Sequence, residues 1–166
     1  MNRDIRANWC HVGIDPGKSG GIAWIVSDTC QAAKMPETER GLYELLRELA
    51  EGPTVVTVEK QWARPGMDKV EKATEISKGK GEGQFRGSVS NATLMQNYGT
   101  ILGILASLCV EPILVAPLRW QNRLNCRTRG DKNITKAKAI ELFPGTKVFH
   151  WNADAYLLAH YGRLYG

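Results

Sequence analysis

The most constraining feature of the sequence is an apolar run at residues 9–15 that ends in an acid, Asp15. A turn of Pro16-Gly17-Lys18-Ser19-Gly20-Gly21 follows, and a second apolar run begins at Ile22. Apolar runs bounded by turn residues predict two strands of a hairpin. Asp15 would then lie at the mouth of a sheet, where a carboxylate is either hydrated or bound to a metal ion. An ordinary turn aspartate is the alternative, because aspartate before Pro-Gly often only caps a turn.

Composition indicates one soluble globular domain over residues 1–166. The chain is 43% hydrophobic and 23% charged, which is usual for a globular protein of this length. No apolar run approaches the roughly 20 residues of a membrane helix, and the polar first eight residues show no secretory signal. The four cysteines lie far apart in the sequence, which favours a reducing compartment and no zinc site.

Periodicity along the chain predicts alternating strands and helices. The predicted strands lie at residues 9–15, from residue 22, and at 30–35, 54–59 and 111–115. The predicted helices lie at residues 39–51, 93–108, 117–124, 135–143 and 152–164. Between them, residues 60–91 contain repeated glycines and many charges. They are predicted to form a long, flexible, basic loop, too long to be without a role in a compact domain.

Three acids occupy positions from which their side chains can meet. Asp15 and Glu59 end two predicted strands, and Asp154 opens the last predicted helix. Converging carboxylates repel one another unless a cation lies between them, and ligands that are all oxygen suit Mg²⁺ or Mn²⁺. Two such ions about 3.5–4 Å apart would clamp the attacking and leaving oxygens of phosphodiester hydrolysis.

The net charge of +5 is unevenly distributed. Residues 116–138 carry a net charge of +6 and residues 60–86 a net charge of +3, so the rest of the chain is acidic. This pattern predicts a face that binds a polyanion such as DNA. A solvated basic surface without a partner is the alternative.

Several motifs together resemble the RuvC-type Holliday junction resolvases, members of the RNase H-like superfamily, and above all the compact enzymes of bacteriophages and chloroplasts. The shared motifs are Gly13-Ile14-Asp15-Pro16-Gly17, Val58-Glu59, Tyr98-Gly99, Trp120-Gln121, and His150 followed after two residues by Ala153-Asp154-Ala155. The resemblance spans about residues 12–161. It implies an α/β fold with a mixed five-stranded RNase H-like sheet flanked by helices.

The same resemblance implies a function. It predicts a homodimeric, metal-dependent endonuclease that resolves four-way DNA junctions by paired symmetric nicks, with two Mg²⁺ or Mn²⁺ ions in each active site. The glycine- and alanine-rich helix at residues 93–108 is the candidate dimer contact. The expected location is the cytoplasm of a bacterial or phage-infected cell, with an organelle as the open alternative.

Individual roles also follow from the resemblance. The family has a fourth metal ligand about one turn before the last acid, where this chain has Trp151, so His150 is the candidate. Trp62 matches a family aromatic that probes the junction centre, and Lys136 matches a lysine near the scissile phosphate. Gln121 replaces a further family lysine, whose role would pass to Arg119 or Arg123. The predicted DNA-binding residues are Trp62, Arg64, Lys69, Arg86, Arg119, Arg123, Arg127, Arg129, Lys132 and Lys136.

Two alternatives remain at the level of sequence. The pattern Gly13-Ile14-Asp15-x-Gly17-x-x-Gly20 also opens the actin-like ATPases and sugar kinases, but those proteins need two such halves and more than twice this length. A DNA-binding module on an inactive nuclease fold is the other alternative, and the three intact acids argue against it. A metal-dependent cleavage assay would separate it from an enzyme.

Overall fold

The structure, a computed structural model, describes residues 8–17, 19–62 and 83–166, with the backbone alone described at residues 83–91. These residues form five strands and five helices. In chain order they are β1 (Cys10–Ile14), β2 (Gly21–Val26), β3 (Thr29–Lys34), α1 (Glu39–Leu49), β4 (Thr54–Glu59), α2 (Gly83–Ser107), β5 (Ile113–Val115), α3 (Pro117–Arg123), α4 (Asn133–Leu142) and α5 (His150–Tyr165). Within this part of the chain, no helix is long and apolar enough to cross a membrane.

The strands form one mixed sheet in the order β3-β2-β1-β4-β5. The first three strands pair antiparallel as two hairpins, whereas β4 and β5 run parallel to β1. In the parallel pair of β1 and β4, Ile14 lies opposite Val58. The residues that follow these two, Asp15 and Glu59, are therefore neighbours at the same end of the sheet, where β1 and β4 both finish.

The two faces of the sheet carry two separate cores, as the alternation of side chains along a strand requires. On one face, Val12 and Ile14 of β1 pack with Val56 and Val58 of β4 against α1 and α2. On the other face, helices α3, α4 and α5 cover the sheet around the fully buried Trp120. Because both faces are covered, the central strands are mainly apolar, with His11 of β1 and Thr57 of β4 as buried polar exceptions.

Helix α5 lies unusually close to the sheet because two glycines make room for it. A Cβ atom at Gly13 of β1 would collide with the backbone of Ala155 and Ala159 in α5. A Cβ atom at Gly162, further along α5, would likewise collide with the side chain of Thr57 in β4. The absence of a side chain at Gly13 brings the backbone of β1 against that of α5, and this contact fixes the first turns of α5 at the end of the sheet where Asp15 and Glu59 lie.

The predicted helices are present, but three of them, α2, α4 and α5, begin earlier than predicted, and α4 begins at Asn133 and not at residue 135. Helix α2 begins at Gly83 and not at residue 93, so residues 83–91 of the predicted loop are helical, while residues 63–82 lie outside the described residues. Glycine and serine are weak helix formers, but extending an existing helix costs far less than starting one. Helix α5 begins at His150 and not at residue 152.

The start of α5 is fixed by Asn152, the residue at which the helix was predicted to begin. Its side-chain oxygen accepts a hydrogen bond from the backbone N–H of Phe149 at 2.7 Å, and its amide nitrogen donates to the carbonyl of Lys147 at 3.1 Å. Asn152 therefore stands inside the first turn and reaches back to the residue before the helix. The sequence pattern therefore places the beginning of the helix two residues too late.

Candidate active site

Three acids meet at one end of the sheet. Asp15 follows β1, Glu59 ends β4, and Asp154 lies in the second turn of α5, which starts at the same end of the sheet. The proximity of the three carboxylates is visible in their mutual electrostatic effects. Asp15 and Asp154 both raise the pKa of Glu59, and Asp154 raises the pKa of Asp15. The three carboxylates therefore lie within electrostatic range of one another, and their predicted role as a shared set of metal ligands stays a prediction.

Asp15 is held by the turn that follows it. The backbone N–H of Gly17 donates a hydrogen bond to one carboxylate oxygen of Asp15 at 3.0 Å. A Cβ atom at Gly20 would come within 2.9 Å of the same carboxyl group, so only glycine lets the turn fold over it. Burial raises the pKa of Asp15, and Asp154 raises it further, while the Gly17 N–H and Lys132 act in the opposite direction.

Glu59 receives one hydrogen bond on each carboxylate oxygen. The indole N–H of Trp120 donates to one oxygen at 3.0 Å, and the side-chain amide of Gln61 donates to the other at 2.9 Å. Burial and the negative charge of Asp15 nevertheless raise the pKa of Glu59 to about 7. The role of Trp120 was missed in the sequence analysis, where the Trp120-Gln121 pair was only a point of resemblance.

The carboxylate of Asp154 is incompletely hydrogen-bonded. Its Oδ1 atom is buried and has no hydrogen-bond partner in the part of the chain that the structure describes. Burial raises the pKa of Asp154, and a hydrogen bond from the Thr135 hydroxyl, with the charges of Lys132 and His150, lowers it. The Thr135 hydroxyl also lies 3.2 Å from the carbonyl of Lys132, and one proton cannot serve both acceptors at once.

The donor chemistry of this site fits a divalent cation. A buried oxygen without a partner and three carboxylates that repel one another are both relieved by a hard cation. However, across residues 8–17, 19–62 and 83–166, no three His, Cys, Asp or Glu side chains lie close enough together to form a ready-made ligand cage. The exposed His150 is the first residue of α5, and its role as a fourth ligand stays a prediction.

The predicted basic residues do not all lie at the acidic end of the sheet. Lys132 is close enough to lower the pKa of both Asp15 and Asp154. In contrast, the guanidinium of Arg123 lies 5.5 Å from the ring centroid of Tyr165, at the last turn of α5. Tyr165 follows Asp154 by eleven residues, or about 16 Å along the helix axis. Arg123 is therefore not placed to contact a phosphate held by the acids.

Other predicted residues fall into three groups. Arg119, Arg127 and Arg129 are exposed, as binding to a polyanion requires, and Lys136 is half-buried. Within the described residues, no ion pair joins Lys136 to one of the three acids, so its predicted catalytic role remains a prediction. Arg64 and Lys69, and the side chain of Arg86, lie outside the described residues.

Gln121 and Trp62 have different surroundings. The side chain of Gln121 accepts a hydrogen bond from the backbone N–H of Thr128 at 3.4 Å, so it holds the basic loop after α3. Trp62 is 53% exposed, three residues after Glu59, with the ammonium of Lys60 5.6 Å from its ring centroid. The backbone N–H of Gln61 bonds to the buried hydroxyl of Tyr98, which ties this segment to α2.

The raised pKa of Glu59 predicts how stability depends on pH without divalent ions. Folded protein binds a proton on Glu59 up to about pH 7, whereas an unfolded glutamate loses it near pH 4.5. Preferential binding of this proton therefore stabilises the folded protein. Its contribution to the free energy of unfolding is complete below pH 4.5 and is lost as the pH rises to about 7. Glu59→Gln should raise the unfolding free energy at pH 8 by about 1–3 kcal/mol and leave it unchanged at pH 4.

Urea unfolding in EDTA at the two pH values measures this difference. The matched control is Glu111→Gln, which changes an exposed acid just before β5. If the free energy of unfolding depends on pH equally in wild type and Glu59→Gln, the pKa of Glu59 is not raised in the folded protein.

The fold matches that of RuvC from Thermus thermophilus. One similar structure is that RuvC in complex with Holliday junction substrate, with a TM-score of 0.55, 15% identity, and 95% of this chain and 96% of that chain covered. Another is a Thermus thermophilus RuvC structure, with a TM-score of 0.56, 14% identity, and 93% and 96% covered. No protein-family model and no curated protein matches the sequence. The comparison confirms the predicted RuvC-like, RNase H-like α/β fold.

Proposed function

We propose that this RuvC-like chain is a metal-dependent endonuclease that resolves four-way DNA junctions by paired symmetric nicks. The observation that carries the proposal is the meeting of Asp15, Glu59 and Asp154 at one end of the sheet, with a buried oxygen of Asp154 left without a partner. Support also comes from the similar RuvC structure, which is in complex with Holliday junction substrate and whose match covers 95% of this chain.

In this mechanism Asp15, Glu59 and Asp154 would hold Mg²⁺ or Mn²⁺, with His150 as the candidate fourth ligand. The bound cation would supply charge stabilisation at the scissile phosphate and activation of the attacking water. Lys132 lies near Asp15 and Asp154, so its ammonium would bind the phosphate that the acids alone would repel. Gly17 and Trp120 keep two of the carboxylates oriented before substrate arrives.

The exposed bases Arg119, Arg127 and Arg129, with Lys132, would bind the phosphates of the junction arms. Each phosphate contact that is removed should flatten the plot of log affinity against log salt concentration by about 0.9 for duplex DNA. Lys132 adds a distinct expectation, because it also faces the acids. Lys132→Ala should reduce the cleavage rate of bound junction, whereas Arg127→Ala should reduce affinity alone.

The function is tested by incubating the protein with a labelled four-way junction or with linear duplex of the same sequence, in Mg²⁺ or EDTA. We expect nicks at symmetric positions on two opposed strands of the junction, only with the cation, and little cutting of duplex. Junction binding without cleavage under all metal conditions would instead support the inactive DNA-binding module.

Paired nicks call for two active sites, and we propose a two-fold homodimer to provide them. A symmetric substrate is matched most simply by an enzyme with the same symmetry, and helix α2 is the candidate contact. Sedimentation at micromolar concentration, with and without junction DNA, should show a species of twice the 18.4 kDa chain mass. A single 18.4 kDa species in both conditions would rule this assembly out.

Trp62 is expected to distinguish junctions from duplex. Phosphate contacts cannot do so, because both substrates present phosphates. At the centre of a junction, however, stacking can be interrupted, which leaves faces of bases available. Stacking of a base on an aromatic ring contributes about 1–3 kcal/mol, and Trp62 is exposed beside Glu59. Trp62→Ala should therefore slow junction cleavage about tenfold or more, with duplex affinity nearly unchanged.

Single-turnover cleavage and the two affinities, measured side by side, check this expectation. Trp62→Phe is the matched control, because it keeps a flat ring and should retain much of the activity. An equal loss of affinity for junction and duplex in Trp62→Ala would exclude a role in recognising the junction centre.

A further inference from the structure

Trp120 makes a contact that its packing does not require. It lies in the short helix α3, is fully buried, and belongs to the core that includes Val115, Leu124 and Ala139. A buried indole needs some acceptor for its N–H, and any backbone carbonyl would serve. The acceptor here is a carboxylate oxygen of Glu59, 61 residues earlier in the chain and one of the three converging acids.

The surrounding backbone holds Trp120 and Glu59 in a fixed relation. Strand β5 pairs with β4 so that Val115 lies opposite Glu59, and the backbone N–H of Lys60 donates to the carbonyl of Val115 at 2.8 Å. Helix α3 starts with Pro117, directly after this strand. Only four residues separate Trp120 from Val115, so the indole reaches Glu59 from a rigid support.

Trp120 and Gln61 restrict the orientation of the Glu59 carboxylate but leave it able to accept further ligands. Each carboxylate oxygen has two lone-pair directions, and Trp120 and Gln61 occupy one direction on each oxygen. The remaining directions stay available for a cation. Gln61 is half-buried at the start of the segment that leads to Trp62, whereas Trp120 is buried in the core, so Trp120 is the more rigid of the two donors.

We propose that Trp120 is a positioning residue, whose indole N–H sets the orientation of the Glu59 carboxylate for binding of a divalent cation. The proposal rests on the proposed function, since it assigns Glu59 to the metal site. Hydrogen bonds to the residues that ligate a metal typically change affinity or activity 10–100-fold when they are removed. A buried aromatic that only fills space has no such effect on cation affinity once the protein is folded.

The test is Mn²⁺ binding by isothermal titration calorimetry without DNA, alongside junction cleavage. Trp120→Phe keeps an aromatic ring and removes the donor, and we expect it to weaken Mn²⁺ binding about 10-fold or more. Trp24→Phe is the matched control, since Trp24 packs in the core on the opposite face of the sheet, and it should bind Mn²⁺ as wild type does. Equal Mn²⁺ affinity in Trp120→Phe and wild type would overturn the proposal.

A double-mutant cycle tests whether Trp120 acts through Glu59. Glu59→Gln should weaken Mn²⁺ binding, and adding Trp120→Phe to it should weaken binding no further. Full additivity of the two losses would mean that Trp120 acts elsewhere, and the positioning role would be wrong.

A measurement on wild-type and Glu59→Gln protein serves if Trp120→Phe does not fold. The indole ¹⁵N–¹H resonances of the five tryptophans report each N–H separately. The Trp120 resonance should move more than the others in Glu59→Gln and on addition of Mg²⁺ to wild type, and an unmoved resonance would refute the contact. Failure of the proposed function is distinguishable, because it would show as wild-type protein that does not cut junctions, whatever the state of Trp120.

Discussion

Asp15→Asn is expected to lower the rate of junction cleavage about a thousandfold or more, which equals a rise of about 4 kcal/mol in the activation barrier. Asparagine has nearly the shape of aspartate, and its side-chain oxygen can still accept the hydrogen bond from the Gly17 N–H. The turn should therefore keep its structure. What is lost is a negative charge at the point where three acids meet, and with it much of the attraction for a cation.

Junction affinity should not fall with activity in Asp15→Asn. The exposed basic residues that would contact phosphates are unchanged in Asp15→Asn, and one repelling carboxylate is gone. Affinity measured in EDTA should therefore be equal to that of wild type or slightly higher.

The measurements are single-turnover cleavage at saturating protein and junction binding in EDTA. Asp28→Asn is the matched control, since Asp28 is an exposed acid in the turn between β2 and β3, and it should cleave as wild type does. Cleavage by Asp15→Asn at the wild-type rate would remove Asp15 from the chemistry, and the assignment of the site with it.

Gly13→Ala is the second substitution with a large expected effect, here on folding. The added methyl group would meet the backbone of Ala155 and Ala159, which no change of side-chain rotamer can relieve. Helix α5 would have to move away from β1 and loosen the core that includes Leu157 and Leu158. Overpacking of this kind costs about 3 kcal/mol or more of the free energy of unfolding.

Any folded fraction of Gly13→Ala should also cleave poorly. Asp154 lies one residue before Ala155 on α5, so a shift of the helix moves it relative to Asp15 and Glu59. A displacement of about 1 Å in a catalytic group can cost a factor of about 100 in rate.

Urea unfolding and cleavage per folded molecule measure the two effects. The control is Gly52→Ala, because a Cβ atom at Gly52 would meet nothing within 4 Å, and it should change neither quantity. Wild-type stability in Gly13→Ala would mean that α5 does not contact β1 as closely as described.

The three acids were predictable from sequence because each stands at a strand end or at the beginning of a helix. Asp15 and Glu59 end apolar runs of the type that forms central strands, and parallel neighbours bring such ends together. Asp154 stands in an apolar helix, where a lone acid is conspicuous. The individual strands and helices followed from the same kind of pattern, whereas their arrangement in a mixed sheet followed from the family resemblance.

The supporting residues were less predictable, because their roles depend on contacts between distant segments. Trp120 reaches Glu59 across 61 positions, and a sequence pattern shows only that tryptophan suits a buried helix. The resemblance assigned Lys136 to the scissile phosphate, which stays a prediction, and it did not indicate that Lys132, expected only to bind DNA, influences Asp15 and Asp154. In sequence, Arg123 is indistinguishable from its basic neighbours, but in the structure its guanidinium lies against the ring of Tyr165.

The close seating of α5 on the sheet has a consequence for the motions of the molecule. One of the acids directly follows β1, another ends β4, and the third belongs to a helix in direct backbone contact with β1. Amide protons in such a unit exchange with solvent mainly when the whole core opens, unlike those in loops that open locally. The acidic cluster would therefore persist in the free protein, already assembled before DNA arrives. Heat should then abolish the arrangement of the acids and the fold in one transition and not in two.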